Sequence, residues 1–133
     1  MANDAQIPIS SAVDIVAARQ QGRQLALKLG FQAGDVTLIA AAISEVARNI
    51  VDHAKNGEMT FERIQNGTKD GLQIIARDAG PGIPDVNQAM QYGYSTRRGL
   101  GVGLPGAKWL MDEFDIVSKV GKGTTVTMKK WLT

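Results

Sequence analysis

The chain has no cysteine and only one histidine, and those two shortages exclude a good deal of chemistry. Without cysteine there is no disulfide, no thiolate metal site and no cysteine nucleophile. A lone histidine, His53, leaves no cluster for zinc and no histidine-based triad. Long apolar runs are missing as well: the stretch from Val36 to Ile43 is interrupted by Thr37 and is far shorter than the ~20 residues of a bilayer span. The opening Met1-Ala2-Asn3-Asp4 has no basic residue and no apolar core after it, so neither a membrane association nor a secretory leader is expected, and the expected location is cytoplasmic. Charge is mild, +2 with pI near 9.0. The basic residues are scattered rather than gathered in a stripe, so no nucleic-acid partner is expected. The sequence has no G-x-x-x-x-G-K-[ST] loop, no H-R-D and no D-F-G, which leaves P-loop NTPases and eukaryotic-type kinases unsupported.

What is present is enough for one compact domain across residues 1–133, since 44% of the residues are hydrophobic. Glycine supplies the punctuation, at Gly30, Gly57, Asn66-Gly67, Gly80 to Pro84, Gly99 to Gly106 and Gly121-Lys122-Gly123. Ile7 to Ile9 reads as a short strand. Ser11 with Asp14 opens a helix whose Ile15, Ala18, Gly22, Leu25 and Leu29 recur at helical spacing before Gly30. A second helix is expected over Asp35 to Ala54, with Val36, Ile39, Ile43, Ala47, Ile50 and Ala54 toward the core and Gly57 as its stop. Met59 to Gln65 and Leu72 to Asp78 read as a hairpin. Asp85 to Tyr92 and Leu104 to Asp112 read as helices, the latter with Pro105 in its first turn, and Phe114 to Val120 and Thr124 to Leu132 as strands joined by a glycine turn. The expected fold class is α/β, a two-layer sandwich with helices on one face of a mostly antiparallel mixed sheet.

Three segments carry chemistry. Glu45, Asn49 and His53 stand at i, i+4 and i+8, and so share one side of the second helix, read as the side opposite its core stripe with Leu38 and Ala42 beside them. Taken alone, that spacing also fits a solvated helix face. Asp78-Ala79-Gly80-Pro81-Gly82 stands where an apolar strand runs out; a carboxylate there, followed by glycines, lets backbone approach a flat ligand whose exocyclic amino group the carboxylate can accept. The same residues also fit a plain turn. Gly99-Leu100-Gly101-Val102-Gly103-Leu104-Pro105-Gly106 is a glycine-rich loop leading into a helix, an arrangement that binds anions, phosphates above all. Its formal G-x-G-x-x-G is not a dinucleotide fingerprint, because Tyr92 to Arg98 rather than a buried strand precede it and too little chain follows.

In this order the segments resemble the boxes of the GHKL (Bergerat-fold) ATPases: Glu45-x-x-x-Asn49-x-x-x-His53 the N box, Asp78-x-Gly80-x-Gly82 and Gly99-x-Gly101-x-Gly103 the two glycine boxes, and Gly121-x-Gly123-Thr124 the short final box. The resemblance implies ATP and Mg²⁺ as cofactors. It implies Asp78 on the adenine amino group with Thr124 supporting through water, Asn49 on Mg²⁺, and the backbone N–H groups of Gly101, Val102, Gly103 and Leu104 on the phosphates. It implies Glu45 as the general base, a role open to a carboxylate held near the γ-phosphate. The runs Asp14 to Gln20, Ile43 to Ile50, Gly103 to Gly106 and Leu110 to Phe114 are most similar to the small RsbT-type serine kinases of stressosomes. That similarity implies STAS-domain proteins as substrates and a PPM-type serine phosphatase as a second partner. An anti-sigma factor of the same fold is the alternative, and Asp112, Glu113 and Asp115 read either as an acidic contact patch or as a solvated helix end. Arg97 and Arg98 are open between a role at the γ-phosphate and plain solvated charges.

Overall fold

Ser11 and Asp14 start a helix as their spacing predicts: α1 runs over Ala12–Leu29 and follows the strand β1, Ala5–Ile9. The computed structural model of the chain describes residues 5–83, 85–90 and 103–132; the expectations for Pro84, Tyr92, Arg97, Arg98, Gly99, Gly101 and Val102 lie outside the described residues. Asp14 Oδ2 accepts from the backbone N–H groups of Ser10 at 2.8 Å and Ser11 at 3.2 Å, and from the Ser10 hydroxyl at 3.0 Å. These bonds, the Ser10 N–H first, hold the Asp14 carboxyl below its ordinary value, because a hydrogen bond to the charged form favours it. Ile15, Ala18, Gly22 and Leu25 are buried on schedule, with Ala26 in place of the half-buried Leu29.

Helix α2, Ala33–His53, buries Val36, Ile39, Ile43, Ala47 and Ile50 as its stripe predicts. It also buries Ala40, Ala42, Ser44 and Val46, so the side carrying Glu45 is not an open surface opposite the core. Helix α4, Gly103–Leu110, packs against α2 and covers that side. The stop differs from expectation too. Lys55, at φ 74, takes the left-handed position and its N–H reaches the Ile50 carbonyl at 3.0 Å. Gly57 instead begins the next strand, where a Cβ would stand 2.4 Å from the Arg77 carbonyl oxygen.

That strand, β2 (Gly57–Asn66), forms a hairpin with β3 (Lys69–Asp78) through the two-residue turn Gly67-Thr68. A short helix, α3 (Val86–Ala89), follows, and after α4 the chain ends in the hairpin of β4 (Glu113–Lys119) and β5 (Gly123–Trp131). The five strands lie in the order β1-β2-β3-β5-β4, and each described ladder is antiparallel. The register aligns two inward rows that are wholly apolar: Ile7, Met59, Ala76, Val126 and Ile116 in one, Ala5, Phe61, Ile74, Met128 and Phe114 in the other. They face α1 and α2 and form the core with them. The next row on the same face changes character, running Ile9, Gly57, Asp78, Thr124 and Ser118. Three of its five members are polar, and they occupy consecutive strands.

Asp14→Asn tests the cap. Because the folded carboxyl titrates below its ordinary value, its stabilisation is present above that value and lost as pH falls through the folded one. The variant should therefore melt below wild type near neutral pH, and the gap should close as both are acidified below the carboxylate range. Thermal melts over a pH series check this; a gap that persists unchanged in acid would remove the charge from the account.

Candidate functional site

The polar end row starts from strand geometry. Asp78 is the last residue of β3, paired with Gly57 on one side and Thr124 on the other. Its Oδ1 accepts from the backbone N–H of Gly80 at 3.0 Å and of Thr124 at 3.3 Å. Two fixed donors on one oxygen orient the carboxylate, and among the described residues Oδ2 carries no hydrogen bond. Thr124 is 5% exposed, and its Oγ1 is 2.7 Å from Ser118 Oγ.

The loop after Asp78 is clasped by the β4–β5 turn. Gly121 N–H donates to the Pro81 carbonyl at 2.8 Å, and Ile83 N–H donates to Ser118 Oγ at 2.7 Å. Gly82, at φ 79, lies where a Cβ would be 2.3 Å from the Lys119 carbonyl oxygen; Gly123, at φ 117, lies where a Cβ would be 2.0 Å from that of Asp78. Both conformation and space therefore demand glycine. Gly80 rests on the end of α2, its would-be Cβ 2.6 Å from Ala54 Cβ.

That contact joins the strand-end cluster to a second one on α2. Glu45, Arg48, Asn49, Asp52 and His53 line a cleft closed on its other side by Gly103 and Leu104. Glu45 Oε1 accepts from the Gly103 N–H at 3.0 Å, and its Oε2 stands 3.5 Å from Arg48 Nη1. A carboxylate on the first N–H of α4 satisfies one of that helix's orphan donors and complements its dipole. The structure thus brings Glu45, Asn49, Gly103 and Leu104 into one cleft, and Asp78, Gly80, Gly82 and Thr124 into a neighbouring cluster. It adds three residues that the sequence reading missed. Arg48 and Asp52 were legible in principle, at i+3 and i+7 from Glu45. Ser118 was legible from alternation, being the polar residue at the position after Phe114 and Ile116 on the inward face of β4.

Comparisons with known proteins bear on the family and the fold. The family model described as histidine kinase-, DNA gyrase B- and HSP90-like ATPase matches residues 34–133. The chain is 51% identical over 126 residues to the serine/threonine-protein kinase RsbT of Bacillus subtilis (strain 168), covering 95% of each chain. It is 34% identical over 104 residues to the anti-sigma F factor of Thermoanaerobacter sp. (strain X514), covering 74% of this chain and 71% of that one. Among solved structures it is similar to the RsbU and RsbW domains of a Mycobacterium tuberculosis protein, with a TM-score of 0.62 and 20% identity; the match takes in 97% of this chain and 33% of that one. That likeness bears on the fold, and it supports the two-layer α/β arrangement.

Gly82→Ala tests the clasp. It adds both a left-handed penalty and a collision with backbone, and should cost ~2–4 kcal/mol, a drop of several degrees in melting temperature. Gly67→Ala, at φ 63 with nothing within 4 Å, should cost only about 1 kcal/mol. Equal melting losses for the two variants would show that the close approach at Gly82 is not a constraint.

Proposed function

Since the chain belongs to the histidine kinase-, DNA gyrase B- and HSP90-like ATPase family, we propose that it is a serine/threonine protein kinase, transferring the ATP γ-phosphate to a hydroxyl on a protein partner. The observation that carries this reading is the pairing of a carboxylate base with an amide one helical turn away, Glu45 and Asn49, in a cleft that ends on the first N–H of α4. An ATP-binding domain without transfer activity needs no base there.

In this reading Asp78 Oδ2 accepts from the adenine amino group, with Thr124 beside it. Gly103 and Leu104, with Gly99, Gly101 and Val102, hold the phosphates by backbone N–H groups. Asn49 offers an amide oxygen, a hard ligand that fits Mg²⁺. An ion there would be held by one side chain together with substrate phosphates and water. Mg²⁺ bound there supplies neutralisation of phosphate charge. Glu45 takes the proton as the acceptor oxygen bonds to the γ-phosphorus and the bond to the bridging β,γ-oxygen breaks, with ADP leaving. In the described state the same carboxylate holds the Gly103 N–H, so phosphate binding has to take over that donor before Glu45 can turn to the acceptor.

STAS-domain proteins are the proposed substrates and a PPM-type phosphatase the proposed second partner, in the cytoplasm where ATP is supplied; no described helix is long and apolar enough to cross a membrane. The higher identity and fuller coverage of the RsbT match favour this over the anti-sigma factor reading. Both readings transfer phosphate, since the alternative sequesters a sigma factor and phosphorylates its antagonist; labelled ATP with Mg²⁺ and STAS partners tests the transfer, and stable co-purification with a sigma factor supports the alternative.

Asp78→Asn should weaken ATP binding by ~1–3 kcal/mol, about 5- to 150-fold. The Gly80 and Thr124 N–H groups will keep the amide oxygen, which turns the amide nitrogen toward the adenine amino donor. Unchanged affinity in calorimetry would place the base elsewhere.

Glu45→Gln should bind ATP and lose ~10²-fold or more in phosphotransfer, staying on unphosphorylated STAS partners while still stimulating the phosphatase. Asn49→Ala should lose Mg²⁺-dependent binding and turnover together. Full transfer activity in Glu45→Gln would end the assignment of the base.

A further inference from the structure

Ser118 belongs to none of the family boxes, yet it touches three parts of the strand-end cluster. Its Oγ accepts from the Ile83 N–H at 2.7 Å, is 2.7 Å from Thr124 Oγ1, and is 3.3 Å from the Gly123 carbonyl oxygen. A hydroxyl has one proton and two lone pairs, which settles the direction of each bond. Ile83 uses one lone pair. Gly123 offers only an acceptor, so it takes the Ser118 proton. The remaining lone pair then receives the Thr124 proton. This is the one assignment that satisfies all three contacts, and it leaves Thr124 Oγ1 with lone pairs alone.

The consequence falls on the neighbouring strand. Thr124 and Asp78 are directly paired across β3 and β5, so their side chains share a face. Asp78 Oδ2 is an acceptor, and Thr124, turned by Ser118, is another, offered to the base itself or to the water that the resemblance implies between them. A wall of two acceptors welcomes a group with two N–H bonds and repels a carbonyl oxygen.

We propose that Ser118 is a positioning residue for base selection: by taking the Thr124 proton it makes the Asp78–Thr124 wall acceptor-only, so that the site prefers a purine bearing an amino group at ring position 6 over one bearing a carbonyl. The inference rests on the ATP-site reading above.

The test compares binding of ATP and inosine triphosphate, of the same size but with a carbonyl at position 6, to wild type, Ser118→Ala, Ser118→Thr and Thr124→Val by calorimetry. Wild type should prefer ATP strongly. In Ser118→Ala the Thr124 hydroxyl is freed to rotate and donate, so the ATP preference should shrink roughly tenfold, chiefly by gain of the inosine nucleotide. Ser118→Thr, which keeps a hydroxyl, should retain it. Thr124→Val removes the second acceptor without touching the Ile83 bond, and should lose preference to a similar extent; it decides the matter if Ser118→Ala does not fold. A merely structural role would weaken both nucleotides alike and leave their ratio unmoved. In transfer assays Ser118→Ala should lower KM for inosine triphosphate and leave KM and kcat for ATP nearly unchanged. An ATP preference as strong in Ser118→Ala and Thr124→Val as in wild type overturns the role of Ser118 alone. A wild type that binds both nucleotides equally also overturns it but spares the kinase reading, whereas a wild type that binds neither overturns both.

Discussion

The close approach of the 78–83 loop to the β4–β5 turn is the constraint on which the rest of the site depends. Backbone meets backbone there with no room for a side chain at Gly82 or Gly123, and the contact fixes where β3 can end. Because β3 ends at that point, the Thr124 N–H of the next strand reaches Asp78, and the carboxylate is aimed by main chain rather than by other side chains. An orientation set by backbone donors survives changes in neighbouring side chains. It fails if the strands slip by one residue, since that turns Asp78 to the other face.

Helix α2 ties this strand-end cluster to the cleft beyond it. Its C-terminal turn carries Gly80 on Ala54, and one to two turns earlier it presents Asn49 and Glu45 to α4. Helix α2 is buried on several sides, and core residues such as Ile43, Ala47 and Ile50 fix the spacing between the two clusters. The bond between Glu45 and Gly103 lies near the middle of that helix. There the side chain proposed as the base also serves as the cap of α4.

The sequence made much of this legible because the signals were local. Ser11 with Asp14 started α1, Asn66-Gly67 located the hairpin, and Gly121 to Gly123 located the last turn, each within a few residues. Where reading failed, the cause lay across the sheet or between helices. Gly57 looked like a helix stop because its other obligation, room for the Arg77 carbonyl, comes from a strand 20 residues on. The Glu45 side looked open because α4, which covers it, is 58 residues later. Ser118 was passed over as an ordinary strand residue, and only the register shows that it completes a row with Asp78 and Thr124.

The two outer strands of the sheet differ from its middle in composition. β1 carries Pro8, which has no N–H to offer a further strand, and β4 exposes Glu113, Asp115 and Lys119 with Val117 among them. An added strand meets a missing donor at one border and desolvated charge at the other. Strand addition is therefore disfavoured at both borders, which helps keep the apolar rows inside the domain.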